Sequence, residues 1–169
     1  RGGHHLLALI NDVLDVARIE AGNLQLTLEP VDLGRLVQEA LALVQPMAQA
    51  RGVVLVAPEG VQPGSPAVTA DATRLRQVLL NLLSNAIKFN RDAGEVRVRL
   101  ATAGSQLRLE VADQGAGITP QQLPRLFQAF ERLDMDGAVE GTGIGLALSR
   151  SLVLLMHGQI GVHSTPGQG

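Results

Sequence analysis

The chain has no cysteine, tryptophan or tyrosine, and a single lysine. Without thiols there is no disulfide, no thiolate nucleophile and no thiolate metal site, although the compartment stays open. No apolar run approaches the ~20 residues of a membrane span, and no signal-peptide pattern opens the chain. A dominant charge is missing too: the net is −2, so no electrostatic footprint points to nucleic acid or an anionic membrane. Three phenylalanines are the only aromatic residues, which leaves an aliphatic core. No internal repeat is present. The 169 residues fit one full domain with a small appendage. Arg1-Gly2-Gly3 and Pro166-Gly167-Gln168-Gly169 read as cuts through a longer protein.

Residues 4–21 are expected to form a helix. Leu6, Leu7, Leu9, Ile10, Val13, Leu14, Val16 and Ala17 give it a wide apolar face, with Asn11, Asp12, Asp15 and Arg18 outward and Gly22 at its C-terminus. A face this broad suits a helical bundle that nothing nearby in the chain completes. An α/β unit should follow. Leu24, Leu26 and Leu28 alternate with polar residues as a strand ended by Pro30. Asp32 should cap a helix that Pro46 kinks or interrupts. Val53–Val56 and Ala67–Thr69 read as short strands around a Pro58–Pro66 loop, and Asp71 should cap the next helix. Val96–Leu100 and Leu107–Val111 suit an antiparallel hairpin across Gly104-Ser105, with Arg97 and Arg99 meeting Glu110. Helical pieces around Leu123–Phe130, a helix from Ile144 to Met156 and a last strand through Ile160 and Val162 complete the prediction.

Chemistry is concentrated in three stretches. In NLLSNAIKF, Asn81, Asn85 and Lys88 share one helical stripe beside Leu75, Val78, Leu79, Leu82, Leu83, Ala86 and Ile87. Burying an asparagine amide without a partner costs roughly 1–3 kcal/mol, and a hydrated metal with phosphates would supply that partner. The other reading is a satisfied polar edge on an amphipathic helix. Arginine carries nearly all the positive charge, so a compact ammonium at Lys88 suits a point-charge role. In Asp113-Gln-Gly115-Ala-Gly117, the carboxylate lies on the inward face of its strand and needs a donor, which the exocyclic amine of adenine would be. Gly115 and Gly117 would let the backbone pass close to a flat base; the alternative is a turn closed by an Asx hydrogen bond. Gly141-Thr142-Gly143-Ile144-Gly145 opens a helix, where backbone N–H groups without side chains in the way suit an anion. No Walker loop or dinucleotide fingerprint accompanies it. Residues 131–140 are polar and aperiodic, as expected of a mobile lid.

NLLSNAIKF, DQGAGI, LFQAFERLD and EGTGIGLALSR, in this order, closely resemble the asparagine, first glycine, phenylalanine and second glycine boxes of sensor histidine kinases. The wider family is the Bergerat-fold ATPases. LINDVLDVARIEAG resembles the second helix of the kinase dimerization and phosphotransfer domain. The resemblance implies residues 1–22 as part of that domain and 23–169 as the catalytic ATP-binding domain, its last strand missing. The implied fold is an α/β two-layer sandwich: a mixed, mostly antiparallel sheet with helices on one face, preceded by a single bundle helix. Asn85 would ligate Mg²⁺, Lys88 would meet the phosphates and Asp113 would read adenine. The backbone of Gly141, Thr142, Gly143, Ile144 and Gly145 would hold the phosphates, with Leu146 also in the ATP site. Asn81, Gly115, Gly117 and Ile118 would complete the ATP site, with Phe127 and Phe130 anchoring a lid. The implied cofactors are ATP and Mg²⁺. The partners are ATP or ADP, a response-regulator receiver domain and a second copy through the dimerization helices, with no nucleic acid and no direct membrane contact. The implied location is cytoplasmic.

Departures from the family matter. The phosphoacceptor histidine belongs to a first helix not contained here, and His4 and His5 lack its context and read as ordinary exposed residues. His163 and His157 have no acidic or cysteine partners at metal-ligand spacing, and His157 stands where the family often has glycine. Three rivals are an ATP hydrolase, an anti-sigma-factor serine kinase and a non-catalytic nucleotide-sensing or interaction module. A hydrolase normally carries glutamate where Asn81 stands, and the serine kinase would lack the leading helix.

Overall fold

The computed structural model describes residues 2–59, 67–133 and 141–169. The expected Pro58–Pro66 loop therefore lies mostly outside the described residues, as do residues 134–140 of the expected lid. The elements run α1 (Gly2–Glu20), β1 (Glu29–Asp32), α2 (Leu33–Ala50), β2 (Val54–Val56), β3 (Ala67–Ala70), α3 (Ala72–Lys88), β4 (Glu95–Ala103), β5 (Gln106–Asp113), a 3₁₀ turn (Leu123–Arg125) and α4 (Gly145–Leu155). Among the described residues they form a mixed α/β sandwich with two short sheets. β1 pairs antiparallel with β3. β4 lies between β2, which is parallel to it, and β5, which is antiparallel.

Helices α2 and α3 cover one face of the larger sheet. Val37, Ala40, Leu41 and Val44 of α2 meet Leu79, Leu83 and Ile87 of α3 over Val96 and Val98, with Leu109 and Val111 packed alongside. Both helices start as their sequences dictate. Asp32 accepts from the Arg35 N–H at 3.1 Å, and Asp71 accepts from the Arg74 N–H at 3.1 Å. Asp71 also accepts the Thr27 N–H at 2.9 Å, tying the incoming segment to α3.

Several expectations fail for local reasons. The strand is Glu29–Asp32 rather than 24–28, and Pro30 lies inside it. Among the described residues β1 pairs only with β3, and an edge strand tolerates a residue without an N–H. Pro46 does not interrupt α2; it stands on the exposed side, where solvent can take the carbonyl its ring frees. Arg97 pairs with Glu95 of its own strand at 2.7 Å, not with Glu110. Ile160 and Val162 alternate in burial with their neighbours but form no strand, because the segment makes no ladder bonds. His157 takes a positive φ of 62° just past α4, the backbone position that favours glycine.

α1 departs most from expectation. Leu9, Val16 and Ile19 pack with Ile144, Leu148 and Leu152, so α4 covers part of its apolar face. Leu6, Leu7, Ile10, Val13 and Leu14 stay exposed. Asp15, expected outward, is buried. Arg74 reaches it with two nitrogens, at 2.7 and 3.2 Å, and Gln77 braces the same guanidinium at 3.0 Å. Burial, and then the Asp15 charge, raise the pKa of neighbouring Asp12.

Removing one member of a buried ion pair leaves the other charge uncompensated, at a cost of about 3–5 kcal/mol when both are fully buried. The Arg74 side chain keeps 20% of its exposure, so Asp15→Ala should weaken the docking of α1 by a smaller amount, about 2 kcal/mol. Hydrogen exchange of the α1 amides, read beside thermal unfolding, checks this. Exchange no faster than in the unmodified chain rejects the pair as the anchor.

Candidate functional site

α3 is the wall on which the candidate site is built. Leu79, Leu83 and Ile87, four residues apart, are fully buried. Asn81, Asn85 and Lys88 lie half-buried one stripe around the helix. Among the described residues, the side chains of Asn85 and Lys88 have no hydrogen-bond or ion-pair partner. Asn81 differs: its amide donates to the Ser149 hydroxyl oxygen at 3.1 Å.

β5 delivers Asp113 opposite Val96, on the helix-facing side of the sheet. Its Oδ1 accepts from the Gly115 N–H at 2.9 Å, so the Asx hydrogen bond is present and the second carboxylate oxygen remains available. Gly115 is buried, and a methyl group there would overlap the carbonyl oxygen of Phe89, the residue capping α3. Gly117, with φ 74°, packs against the Thr165–Pro166 backbone. Both close approaches are to the chain's own backbone. Ile118 is held by its N–H donating to Ser164 at 2.8 Å.

The second glycine stretch approaches the same helix. The Asn81 amide occupies the space a side chain at Gly145 would take. Ile144 is fully buried against Val78, Leu148 and Leu152, which fixes the start of α4 on α3. Thr142 Oγ1 accepts from the Ile144 N–H at 3.3 Å, while Ile144 offers no capping side chain to the first turn. Those first-turn N–H groups keep their capacity to bind an anion. Leu146 is half-buried. Phe130, 69% exposed, hands its N–H to the Gly143 carbonyl at 2.8 Å. Phe127 lies under the Arg150 guanidinium, 5.9 Å from the ring centre. Arg150 and Ser149 were not singled out in the sequence; Ser149 stands one turn after Gly145, a spacing that could have flagged it.

The arrangement fits a nucleotide with a hydrated cation. Among the described residues, no group of three or more histidine, aspartate or glutamate side chains is placed to hold a metal. Magnesium does not need one, since it is commonly held by a few protein oxygens together with phosphates and water. Two clefts lie elsewhere. One, of about 450 Å³, adjoins Asp15 and Arg74; another, of about 360 Å³, lies between α1 and α4. His4 and His5 are exposed on α1, and His163 is exposed as well.

A methyl group at Gly115 must displace backbone, whereas one at Gly141 meets nothing within 4 Å. Gly115→Ala should therefore cost about 1–3 kcal/mol, as overpacking does, and Gly141→Ala should cost little. Thermal unfolding of the two variants side by side checks the pair; equal melting temperatures contradict the pinned turn.

The chain is similar to known proteins along its whole length. A family model described as histidine kinase-, DNA gyrase B-, and HSP90-like ATPase matches residues 70–169. The non-motile and phage-resistance protein of Caulobacter vibrioides is 43% identical over 173 residues, covering 99% of this chain and 20% of that protein. The circadian input-output histidine kinase CikA of Synechococcus elongatus is 41% identical over 169 residues, with 99% and 22% covered. The chain thus spans about a fifth of the length of these curated relatives. Among solved structures, full-length ShkA in complex with AMPPNP matches with a TM-score of 0.85 and 38% identity, over 99% of this chain and 34% of that one. The mycobacterial sensor histidine kinase MprB matches with a TM-score of 0.65 and 30% identity, over 78% and 81%.

Proposed function

The chain belongs to the histidine kinase-, DNA gyrase B-, and HSP90-like ATPase family, and on that premise we propose that it is the catalytic part of a sensor histidine kinase, binding Mg·ATP along α3. The observation that carries this reading is the convergence of three motifs on one helix. Gly115 abuts the C-terminal end of α3 and Gly145 its middle, while among the described residues Asn85 and Lys88 keep side chains without protein partners. Asp113 accepts the adenine amine through the carboxylate oxygen not engaged by Gly115. Asn85 Oδ1 is a neutral oxygen ligand for magnesium, and Lys88 places its ammonium at the phosphates. The backbone from Gly141 through Leu146, with Thr142 and Ile144, holds the phosphate end, and Phe127 and Phe130 border it. Mg·ATP supplies the γ-phosphoryl that passes to a histidine nitrogen, leaving ADP; the chain's own part is positioning and charge stabilisation.

The phosphoacceptor belongs to a helix paired with α1, with residues 1–22 as part of the dimerization domain. The exposed Leu6, Leu7, Ile10 and Leu14 provide the surface for that helix and for a second copy. A response-regulator aspartate takes the phosphoryl next. A solved complex of the histidine kinase ThkA with the response regulator TrrA supports that partner class through likeness of fold, at a TM-score of 0.70 and 20% identity. Among the described residues no helix is long and apolar enough to cross a membrane; the cytoplasmic location is part of the proposal.

Calorimetry tests the nucleotide assignment. Asp113→Ala should cost about 1–3 kcal/mol of ATP affinity, the worth of a charge-assisted hydrogen bond, and Asn85→Ala should remove the magnesium dependence of binding. A folded Asp113→Ala protein with unchanged affinity rules the assignment out, and a chain that binds without magnesium dependence supports a nucleotide-sensing module instead.

Turnover tests the mechanism. The Asn81 amide has no useful basicity near neutral pH, so it cannot take a proton from water. The chain should release phosphate from saturating Mg·ATP far more slowly than the ~1–10³ s⁻¹ typical of enzymes. Sustained release in that range, absent from Asp113→Ala, would show a hydrolase.

A further inference from the structure

Two polar or charged residues are buried among those described, Asp15 and Ser149. Asp15 has its arginine. Ser149 is 2% exposed and lies on α4 between the apolar contacts of Leu148 and Leu152 with α3. Its recorded side-chain partner is the Asn81 amide, at 3.1 Å. The same amide fills the space beside Gly145, one turn earlier on α4. Asn81 thus touches both ends of the first turn of α4: backbone at Gly145 and hydroxyl at Ser149. Asn85, a turn further along α3, makes no such contact. The two asparagines, alike in sequence, hold different posts.

We propose that Ser149 is a positioning residue for the phosphate end of the nucleotide, acting through Asn81. The inference rests on the Mg·ATP reading above and goes beyond it by taking Asn81 out of the ligand set and making it a strut. The hydroxyl accepts the Asn81 N–H and fixes the amide's rotation. The amide then fills the Cβ side of Gly145 and trims the seating of the first α4 turn, which the apolar cluster fixes on α3. The N–H groups of that turn face the phosphates, and Asn85 and Lys88 meet them from the α3 side. A shift of the turn changes how well an anion is gripped between the two helices. The adenine contact at Asp113 sits on β5 and does not depend on α4. Without Ser149 Oγ the amide loses its acceptor in a buried seam, and the strut can turn.

The test compares two nucleotides of one base: magnesium with a non-hydrolysable triphosphate analogue, and AMP. Their affinities are measured for the unmodified chain, Ser149→Ala, Asn81→Ala, the double variant and Ser149→Thr. Ser149→Ala should weaken triphosphate binding roughly threefold to tenfold, the range of one lost hydrogen bond, and leave AMP affinity as it was. In the Asn81→Ala background, Ser149→Ala should cause no further loss, since the serine acts through the amide. Ser149→Thr, which keeps the oxygen, should restore triphosphate binding in whole or part. General loosening of the fold would instead weaken both nucleotides together. Equal losses for AMP and triphosphate, losses that multiply in the double variant, or an unchanged Ser149→Ala overturn the proposal. Should Ser149→Ala not fold, Asn81→Ala alone must show the triphosphate-selective loss, and its absence is equally fatal. A chain that binds neither nucleotide fails the Mg·ATP reading itself, a result distinct from normal binding that ignores Ser149.

Discussion

Helix α3 must hide one stripe completely and keep the adjacent stripe polar, and the rest of the molecule is arranged around that requirement. Leu79, Leu83 and Ile87 are fully buried under α2 and the sheet. This leaves the helix no rotational freedom, because a turn of one residue would expose leucine and bury amide. The direction of Asn81, Asn85 and Lys88 follows from the packing of their apolar neighbours rather than from their own contacts. Two glycine-bearing segments then come up against the helix, at Phe89 and at Asn81, where side chains would collide with it.

Contact of this kind ties the site closely to α3. Val78 meets Ile144, Leu148 and Leu152 as one apolar cluster, so the start of α4 is placed by hydrophobic burial and only trimmed by polar contacts. Phe130 is mostly exposed and hangs on the Gly143 carbonyl by its backbone N–H. Contact with the rest of the fold therefore thins out from the α3 wall to Phe130.

Much of this was legible in the sequence because it depends on near neighbours. Both aspartate caps, the hairpin register and the stripe of α3 follow from period and spacing over a few residues. The positions of Asp113 and the glycines followed from the same local logic. What the glycines are close to was not legible, since Phe89 and Asn81 reach them through the tertiary fold. Asp15 was misplaced for a related reason. On its own helix it sits among polar residues and reads as outward, and only Arg74, 59 positions later, makes its burial tolerable. Pro30 misled in the opposite direction, because a proline reads as a terminator unless the strand is known to be an edge. Ile160 and Val162 carry a strand's alternation, but a strand exists only through its partner.

The parallel pairing of β2 with β4 bears on how the molecule comes together. Val54 lies beside Glu95 and Val56 beside Arg97, so some forty residues, α3 among them, separate strands that end as neighbours. The β4–β5 hairpin closes across a tight turn at Gly104 and needs nothing else. Loop closure must be met before a distant contact returns any energy. The hairpin therefore closes at the lower entropic cost, and the β2–β4 pairing must also bring in the intervening chain that carries α3. A change that loosens α3 therefore bears both on the site it carries and on the sheet packed beneath it.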